Sequence, residues 1–96
     1  MSGFHYISVD WLHNHAEDPV RLHSEIDDEG WESRKVEEFA DGKMEFADSD
    51  AQSGTTRLGL DRIPSITEIA EDPQFIPVEI SKEEFERLWS MARTNA

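Results

Sequence analysis

Hydrophobic and polar residues alternate along the first half of the chain, and this alternation predicts β-strands. In the first run, Ile7, Val9 and Trp11 share one face and the polar residues between them share the other. Four runs show the pattern, at residues 6–12, 20–26, 31–39 and 43–47. A break in the third run indicates either a β-bulge or a strand contacted on both faces. Because the connections are too short for parallel crossovers, residues 4–47 are predicted to form an antiparallel meander of about four strands.

The second half of the chain has the spacing of helices. Ser65 and Glu68 match a capping box, which predicts a short helix over residues 64–72. A second box begins at Ser81 and precedes a predicted helix over residues 81–93. Apolar residues in that helix recur three or four positions apart, at Phe85, Leu88, Trp89 and Ala92. The predicted fold is therefore α+β, with the C-terminal helix packed on the sheet.

Two segments lack a clear period. Residues 48–62 are rich in Asp, Ser, Gly and Thr and are predicted to form a flexible loop. Residues 75–80 are predicted to be a short extended piece. The aromatic residues whose spacing predicts burial in the core are Trp11, Phe46, Phe85 and Trp89.

The composition fits one small domain. A chain of 96 residues has room for a single hydrophobic core. The absence of cysteine excludes disulfides, cysteine-based zinc sites and a thiol nucleophile. The chain starts without a basic leader or a long apolar run, so neither a signal peptide nor a membrane helix is expected. The expected location is the cytoplasm.

Negative charge is concentrated in the middle third. The chain has 22 acidic and nine basic residues, a net charge of −13, and residues 25–50 alone hold eleven acids and three bases. Such a field repels nucleic acid and anionic lipid, and it accelerates the encounter with basic proteins. The expected partner is therefore a basic protein, without direct nucleic-acid or membrane contact. The predicted partner-binding residues are Asp27, Asp28, Glu29, Trp31, Glu32, Glu37 and Glu38.

Trp31 follows an acidic turn and starts the irregular third strand. Tryptophan dominates many interface hot spots, which favours an exposed anchor at this position. A place at the rim of the core is the alternative interpretation.

A catalytic role has weaker support. Asp10, His13 and His15 offer carboxylate and imidazole ligands for a divalent metal ion, but a solvated loop explains the same residues. Paired carboxylates could act as general acid and base. In a chain this acidic, however, close pairs arise by chance. The sequence has no nucleophile motif and no glycine-rich phosphate loop. A protein that is not an enzyme and needs no cofactor is therefore predicted.

Five segments resemble, in order, a family of small, acidic, uncharacterised bacterial domains. They are Tyr6 to His13, Asp18 to Asp27, Trp31 to Glu37, Ile63 to Ile69 and Ile80 to Glu86. The resemblance covers the chain from about residue 5 to 90. Such domains are similar in general character to the immunity proteins of polymorphic toxin systems, which are short, acidic and free of cysteine. The resemblance carries no functional residues over to this chain.

These observations lead to the hypothesis of an immunity protein. It would bind and neutralise a cognate bacterial toxin domain by occluding a basic active-site surface. Two alternatives stay open. One is a small metal-dependent or acid–base enzyme that uses Asp10, His13 and His15. The other is an adaptor or regulatory domain that binds a basic protein other than a toxin.

Overall fold

A computed structural model describes residues 3–95, which form a five-stranded sheet and two helices. In chain order the elements are β1 (His5–Trp11), β2 (Arg21–Ile26), β3 (Glu32–Glu38), β4 (Met44–Ala47), α1 (Ile66–Ile69), β5 (Phe75–Ile80) and α2 (Lys82–Asn95). The strand order is β4-β3-β2-β1-β5, and all neighbouring strands are antiparallel. The predicted α+β fold is confirmed, including the C-terminal helix on the sheet.

The meander follows the turns and the bulge that the sequence indicates. Gly30 and Gly42 adopt φ angles of 94° and 92°, in the left-handed region that favours glycine, at the turns after β2 and β3. Between β2 and β3, Glu25 pairs with Arg34 but Ile26 pairs with Glu32. Ser33 is therefore the extra residue of a β-bulge, and this bulge accounts for the broken alternation.

Strand β5 joins the free side of β1 along its whole length, from Tyr6 opposite Ile80 to Trp11 opposite Phe75. The sequence predicted only a short extended piece here. The partner strand lies more than sixty positions away in the chain, so no local signal links the two.

Both outer strands of the sheet have limited bonding capacity along their free edges. Leu12 donates its N–H to the β5 side, whereas Trp11 donates to the β2 side. The direction in which the backbone N–H groups point alternates from one residue to the next along each strand. By this alternation the nitrogen of Pro77 in β5 points away from β1, so its missing N–H removes no hydrogen bond between the two strands. At the opposite edge, the outward backbone groups of Phe46 in β4 bond to the Ser53 hydroxyl and N–H.

We call the side of the sheet under α2 the helix face. Buried residues of the sheet meet buried residues of α2 there; they are Tyr6, Val36, Met44, Phe46, Phe85, Leu88 and Ala92. The predicted burial of Phe46 and Phe85 is confirmed. None of the helices formed within residues 3–95 has the length and apolar character needed to span a bilayer.

Two of the four predicted core aromatics, Trp11 and Trp89, are only half-buried. Trp89 lies at the margin of α2, where the guanidinium groups of Arg34 and Arg93 cover its ring at 5.0 and 5.8 Å. Trp11 lies at the end of β1 and directs its indole N–H to the side chain of Gln74, 3.1 Å away. The indole rings of both tryptophans therefore lie at the edge of the core, with their polar or cation-facing side toward its surroundings.

We call the opposite side the loop face. Its smaller apolar cluster consists of Ile7, Val9 and Ile26, against which Ile63, Ile66, Ile69 and Phe75 pack. Helix α1 contributes two of these residues and is shorter than the predicted 64–72. Its capping box is present as predicted: Ser65 accepts from the Glu68 N–H, and the Glu68 carboxylate accepts from the Ser65 N–H.

Candidate protein-binding surface

Carboxylates of the acidic middle third hold the central loop onto the sheet. Thr56 is 1% exposed, and its hydroxyl lies 2.6 Å from Glu37 Oε1 and 3.0 Å from Glu45 Oε1. Glu45 also accepts the N–H of Thr55. Part of the loop predicted to be flexible, around residues 53–56, is thus bonded to β3 and β4.

Glu32 is a second attachment point for this loop. Its buried carboxylate accepts the Gly59 N–H at 2.8 Å and the Ser24 hydroxyl at 2.6 Å, and it lies 3.3 Å from Lys35 Nζ. Lys35 in turn donates to the carbonyl oxygen of Arg57. The Glu32 carboxylate is therefore fully engaged inside the chain, although the sequence placed it among the partner-binding residues.

Four of the seven predicted partner-binding residues share the turn between β2 and β3. The Asp27 carboxylate accepts the N–H groups of Glu29 and Trp31, both at 2.9 Å, and so fixes the turn. Asp28 and Glu29 are exposed and their side chains make no hydrogen bond in the described chain. Trp31 is 40% exposed, with the Arg62 guanidinium 5.4 Å from its ring centroid. We call Asp27, Asp28, Glu29 and Trp31 the acidic turn.

The other predicted residues lie elsewhere. Glu37 is on the loop face with Thr56, whereas Glu38 is on the helix face, where its carboxylate lies 2.6 Å from His23 Nε2. Glu32, Glu37 and Glu38 therefore do not extend the acidic turn into one continuous surface. Proximity in sequence grouped them, but the alternation of the strand separates their side chains.

The helix face contains a buried polar relay that the sequence pattern does not predict. Ser8 Oγ lies 2.5 Å from His23 Nδ1, and the other imidazole nitrogen faces Glu38. Burial lowers the pKa of His23, against the opposing effect of the Glu38 carboxylate. Serine, histidine and glutamate occur together in hydrolases. Here Ser8 and His23 are both buried, so the hydroxyl is not presented to solvent and the relay acts as a polar tie between strands.

An ion-pair network on the same face joins the sheet to α2. Arg34 contacts Glu25 in β2 at 2.6 Å and Glu86 in α2 at 2.7 Å. Burial alone would raise the pKa of the Glu25 carboxyl, but hydrogen bonds from Arg34, Ser33 and Tyr6 hold it below its usual value. Hydrogen bonding to Glu25 raises the pKa of Arg34. In the sequence, the strand alternation places polar residues on the face opposite Ile7 and Val9. That polar face is the sequence signal from which the network could have been predicted.

The predicted metal ligands are engaged in other contacts. Asp10 pairs with Arg21 at 2.8 Å. His13 Nδ1 accepts the His15 N–H, so its Nε2 carries the proton and donates to the Pro19 carbonyl oxygen at 2.7 Å. His15 faces Asp18. Within residues 3–95, no group of three or more histidine or carboxylate side chains is arranged to hold a metal ion.

The fold engages similar fractions of the acidic and basic side chains, but the excess of acids leaves more of them free. Five of the nine basic residues form ion pairs with carboxylates of the chain itself: Arg21, Arg34, Lys35, Lys43 and Arg87. In the described part of the chain, eight carboxylates make no hydrogen bond or ion pair: Glu17, Asp28, Glu29, Asp50, Asp61, Glu71, Glu79 and Glu83. The free charge that faces solvent is therefore predominantly negative.

Comparisons with known proteins place the chain in a family without assigning an activity. Searches of curated proteins and of solved structures gave no significant match. A family model matches residues 5–94, which is nearly the whole described chain. The chain therefore belongs to the family described as a domain of unknown function, DUF6881.

Proposed function

We propose that this domain is an immunity protein that binds a basic bacterial toxin domain and neutralises it by covering the surface that holds the toxin's substrate. The observation that carries the proposal is the imbalance of free charge. In the described chain eight carboxylates are free, whereas only four of the nine basic side chains lack an ion pair. A surface of this kind attracts a basic partner over a distance comparable to the Debye length, about 8–10 Å at physiological salt.

The acidic turn is the best-formed contact point for such a partner. Asp27 uses its carboxylate to fix the backbone, which leaves Asp28 and Glu29 exposed on a rigid turn. Trp31 adds an exposed aromatic surface beside them, already in contact with one guanidinium. An aromatic side chain next to fixed carboxylates suits the lysine and arginine side chains of a substrate-binding surface.

The mechanism is occlusion. Carboxylates of the acidic turn pair with the cations that the toxin uses for its own substrate, so substrate and immunity protein compete for one surface. Charge complementarity of this kind mainly accelerates association and improves discrimination between partners. Tight binding also requires desolvated contacts at the centre of the interface, where Trp31 is the candidate anchor.

The test uses the product of the neighbouring gene, which the proposal predicts to be a toxin domain. Co-expression should restore growth of cells that produce the toxin domain, and the two proteins should co-purify. The double variant Asp28→Asn, Glu29→Gln should slow association by roughly tenfold at low salt, with a smaller effect at high salt. Trp31→Ala should chiefly increase the dissociation rate.

The matched control removes the same charge elsewhere. Glu17→Gln with Glu83→Gln alters two exposed carboxylates outside the acidic turn and should leave association within about twofold of the unmodified protein. Equal slowing by both double variants would show that only total charge matters. Growth rescue that survives replacement of every residue of the acidic turn by alanine would exclude the acidic turn from the mechanism.

A further inference from the structure

A cavity of about 350 Å³ opens on the loop face between the sheet and α1. Its walls are mainly apolar, and the apolar lining includes Ile7, Val9, Leu22, Ile63, Ile69 and Phe75. This volume is within the range of roughly 300–1,000 Å³ that is usual for ligand sites, and it greatly exceeds the roughly 30 Å³ share of one water molecule. The cavity can therefore accept a bulky apolar group.

The polar end of the cavity is already satisfied by its own residues. Glu32 accepts the Ser24 hydroxyl and lies 3.3 Å from Lys35 Nζ. A polar ligand group placed there would have to replace these contacts. An apolar group, in contrast, can fill the space without leaving a buried polar atom unpaired.

Charge at the rim distinguishes among apolar ligands. The rim includes the carboxylates of Glu68 and Asp72. Each accepts backbone N–H groups of its own turn, which fixes its position. Lys35 is the one basic residue among the lining residues, and Glu32 pairs with it. The rim therefore disfavours a ligand with a carboxylate or phosphate and favours an apolar group flanked by cations.

We propose that this cavity binds one bulky apolar side chain of the basic partner, flanked by lysine or arginine side chains that face Glu68 and Asp72. The inference rests on the proposed function, because that function supplies the basic partner. It adds a second contact point, on the loop face, that buries apolar surface. The acidic turn then governs the encounter, and the cavity contributes to the lifetime of the complex.

The first test uses a synthetic peptide with one phenylalanine between two pairs of lysines. NMR titration should shift the amide signals of Val9, Leu22 and Ile69. Replacing the phenylalanine by alanine should weaken binding at least about tenfold, since a buried aromatic side chain is lost. Replacing the lysines by glutamates should also abolish the shifts. Equal binding of the phenylalanine and alanine peptides, shifts confined to the acidic turn, or no binding would each overturn the inference.

Two variants fill the cavity from opposite walls, so that one remains informative if the other fails to fold. Leu22→Phe places a larger side chain on the wall formed by the sheet, and Ile69→Phe places one on the wall formed by α1. Each folded variant should bind the phenylalanine peptide at least about tenfold more weakly. Leu60→Phe adds the same ring to a side chain that is 92% exposed and should leave binding unchanged. Unchanged binding by the folded cavity variants would overturn the inference.

The rim is tested separately. Asp72→Asn removes the charge but retains an oxygen that can accept the Gln74 N–H, whereas Glu83→Gln removes a charge from α2. Only Asp72→Asn should weaken the lysine-rich peptide, and its effect should diminish with added salt. Equal effects of the two variants would contradict a specific role for the rim.

The same variants separate this inference from the proposed function. If the unmodified protein binds the toxin domain and both cavity variants bind it equally well, the cavity inference fails and the proposed function stands. If the peptide enters the cavity but the toxin domain does not bind, the proposed function fails and the ligand preference of the cavity stands.

Discussion

On the helix face, α2 covers the sheet with Phe85, Leu88 and Ala92, all buried against apolar residues of the strands. On the loop face, fewer buried apolar residues are present, and the segment that crosses the sheet is bonded through Thr56 and Gly59 to carboxylates below it. One face is thus closed mainly by apolar packing, and the other largely by hydrogen bonds to acidic side chains.

This difference assigns a structural role to some of the acids in the middle third. Three of the eleven acids in residues 25–50, Glu32, Glu37 and Glu45, serve as acceptors for the loop that covers them. The apolar contacts of the helix face are lost only if the whole helix detaches from the sheet, so this face resists local opening. A loop fixed by a few hydrogen bonds can open while the rest stays folded. We therefore expect mutations on the two faces to differ in kind as well as in size.

The largest effect is expected at Phe85 of α2, whose side chain is completely buried against the sheet. Phe85→Ala should lower the free energy of unfolding by about 3–5 kcal/mol, because it removes the central side chain of the helix face. Chemical denaturation followed by circular dichroism measures this loss. Leu60→Ala, at an exposed position, should change stability by no more than about 0.5 kcal/mol. A loss below about 1 kcal/mol for Phe85→Ala would mean that α2 does not close this face.

A smaller and more local effect is expected on the loop face. Thr56→Val removes the hydroxyl that bonds to Glu37 and Glu45, and should cost about 1–3 kcal/mol. Hydrogen exchange should accelerate at the Gly59 N–H, while the amides of α2 retain their protection. The neighbouring Thr55→Val is the control, since the structure gives its side chain no hydrogen bond. Uniform acceleration across the whole domain would contradict the distinction between the two faces.

The smallest effect concerns pH and the helix face. Burial lowers the pKa of His23 in the folded state, so the unfolded chain binds the proton more readily. Stability from this group is complete above the unfolded pKa of about 6.5 and is lost as pH falls toward the lower folded value. Thermal unfolding between pH 7 and pH 5 should show this loss.

His23→Gln should flatten this dependence of the melting temperature on pH, whereas His5→Gln, at an exposed position, should retain it. The groups that face His23 are Glu38 and Arg21 in the sheet and Glu84 in α2. A pH dependence that is identical in both variants would assign the effect to another group.

Local rules predict much of the fold. The capping box at Ser65 and the turn at Gly42 depend on residues within four positions of one another, and both are present. The Ser81 cap before α2 is present too, since its hydroxyl accepts the Glu84 N–H. The pairing of β5 with β1 could not be predicted in this way, because it depends on contacts between distant parts of the chain.

The candidate site was harder to predict. The neighbouring residues in the sequence do not show whether a carboxylate is exposed to solvent or buried under a loop. Asp28 and Glu32 are four positions apart; one is exposed and the other is buried beside Ser24. Likewise, the alternation of β2 places His23 on a polar face, but α2 covers that face. Only the tertiary structure determines whether such a polar side chain is exposed or buried.

The edges of the sheet have a further consequence for recognition. With Pro77 facing outward on one side and Ser53 bonded to Phe46 on the other, neither edge offers an uninterrupted ladder to an incoming strand. Self-polymerisation by strand addition is thereby disfavoured. The partner proposed above would therefore be recognised through its side chains and not by the addition of an extended backbone strand.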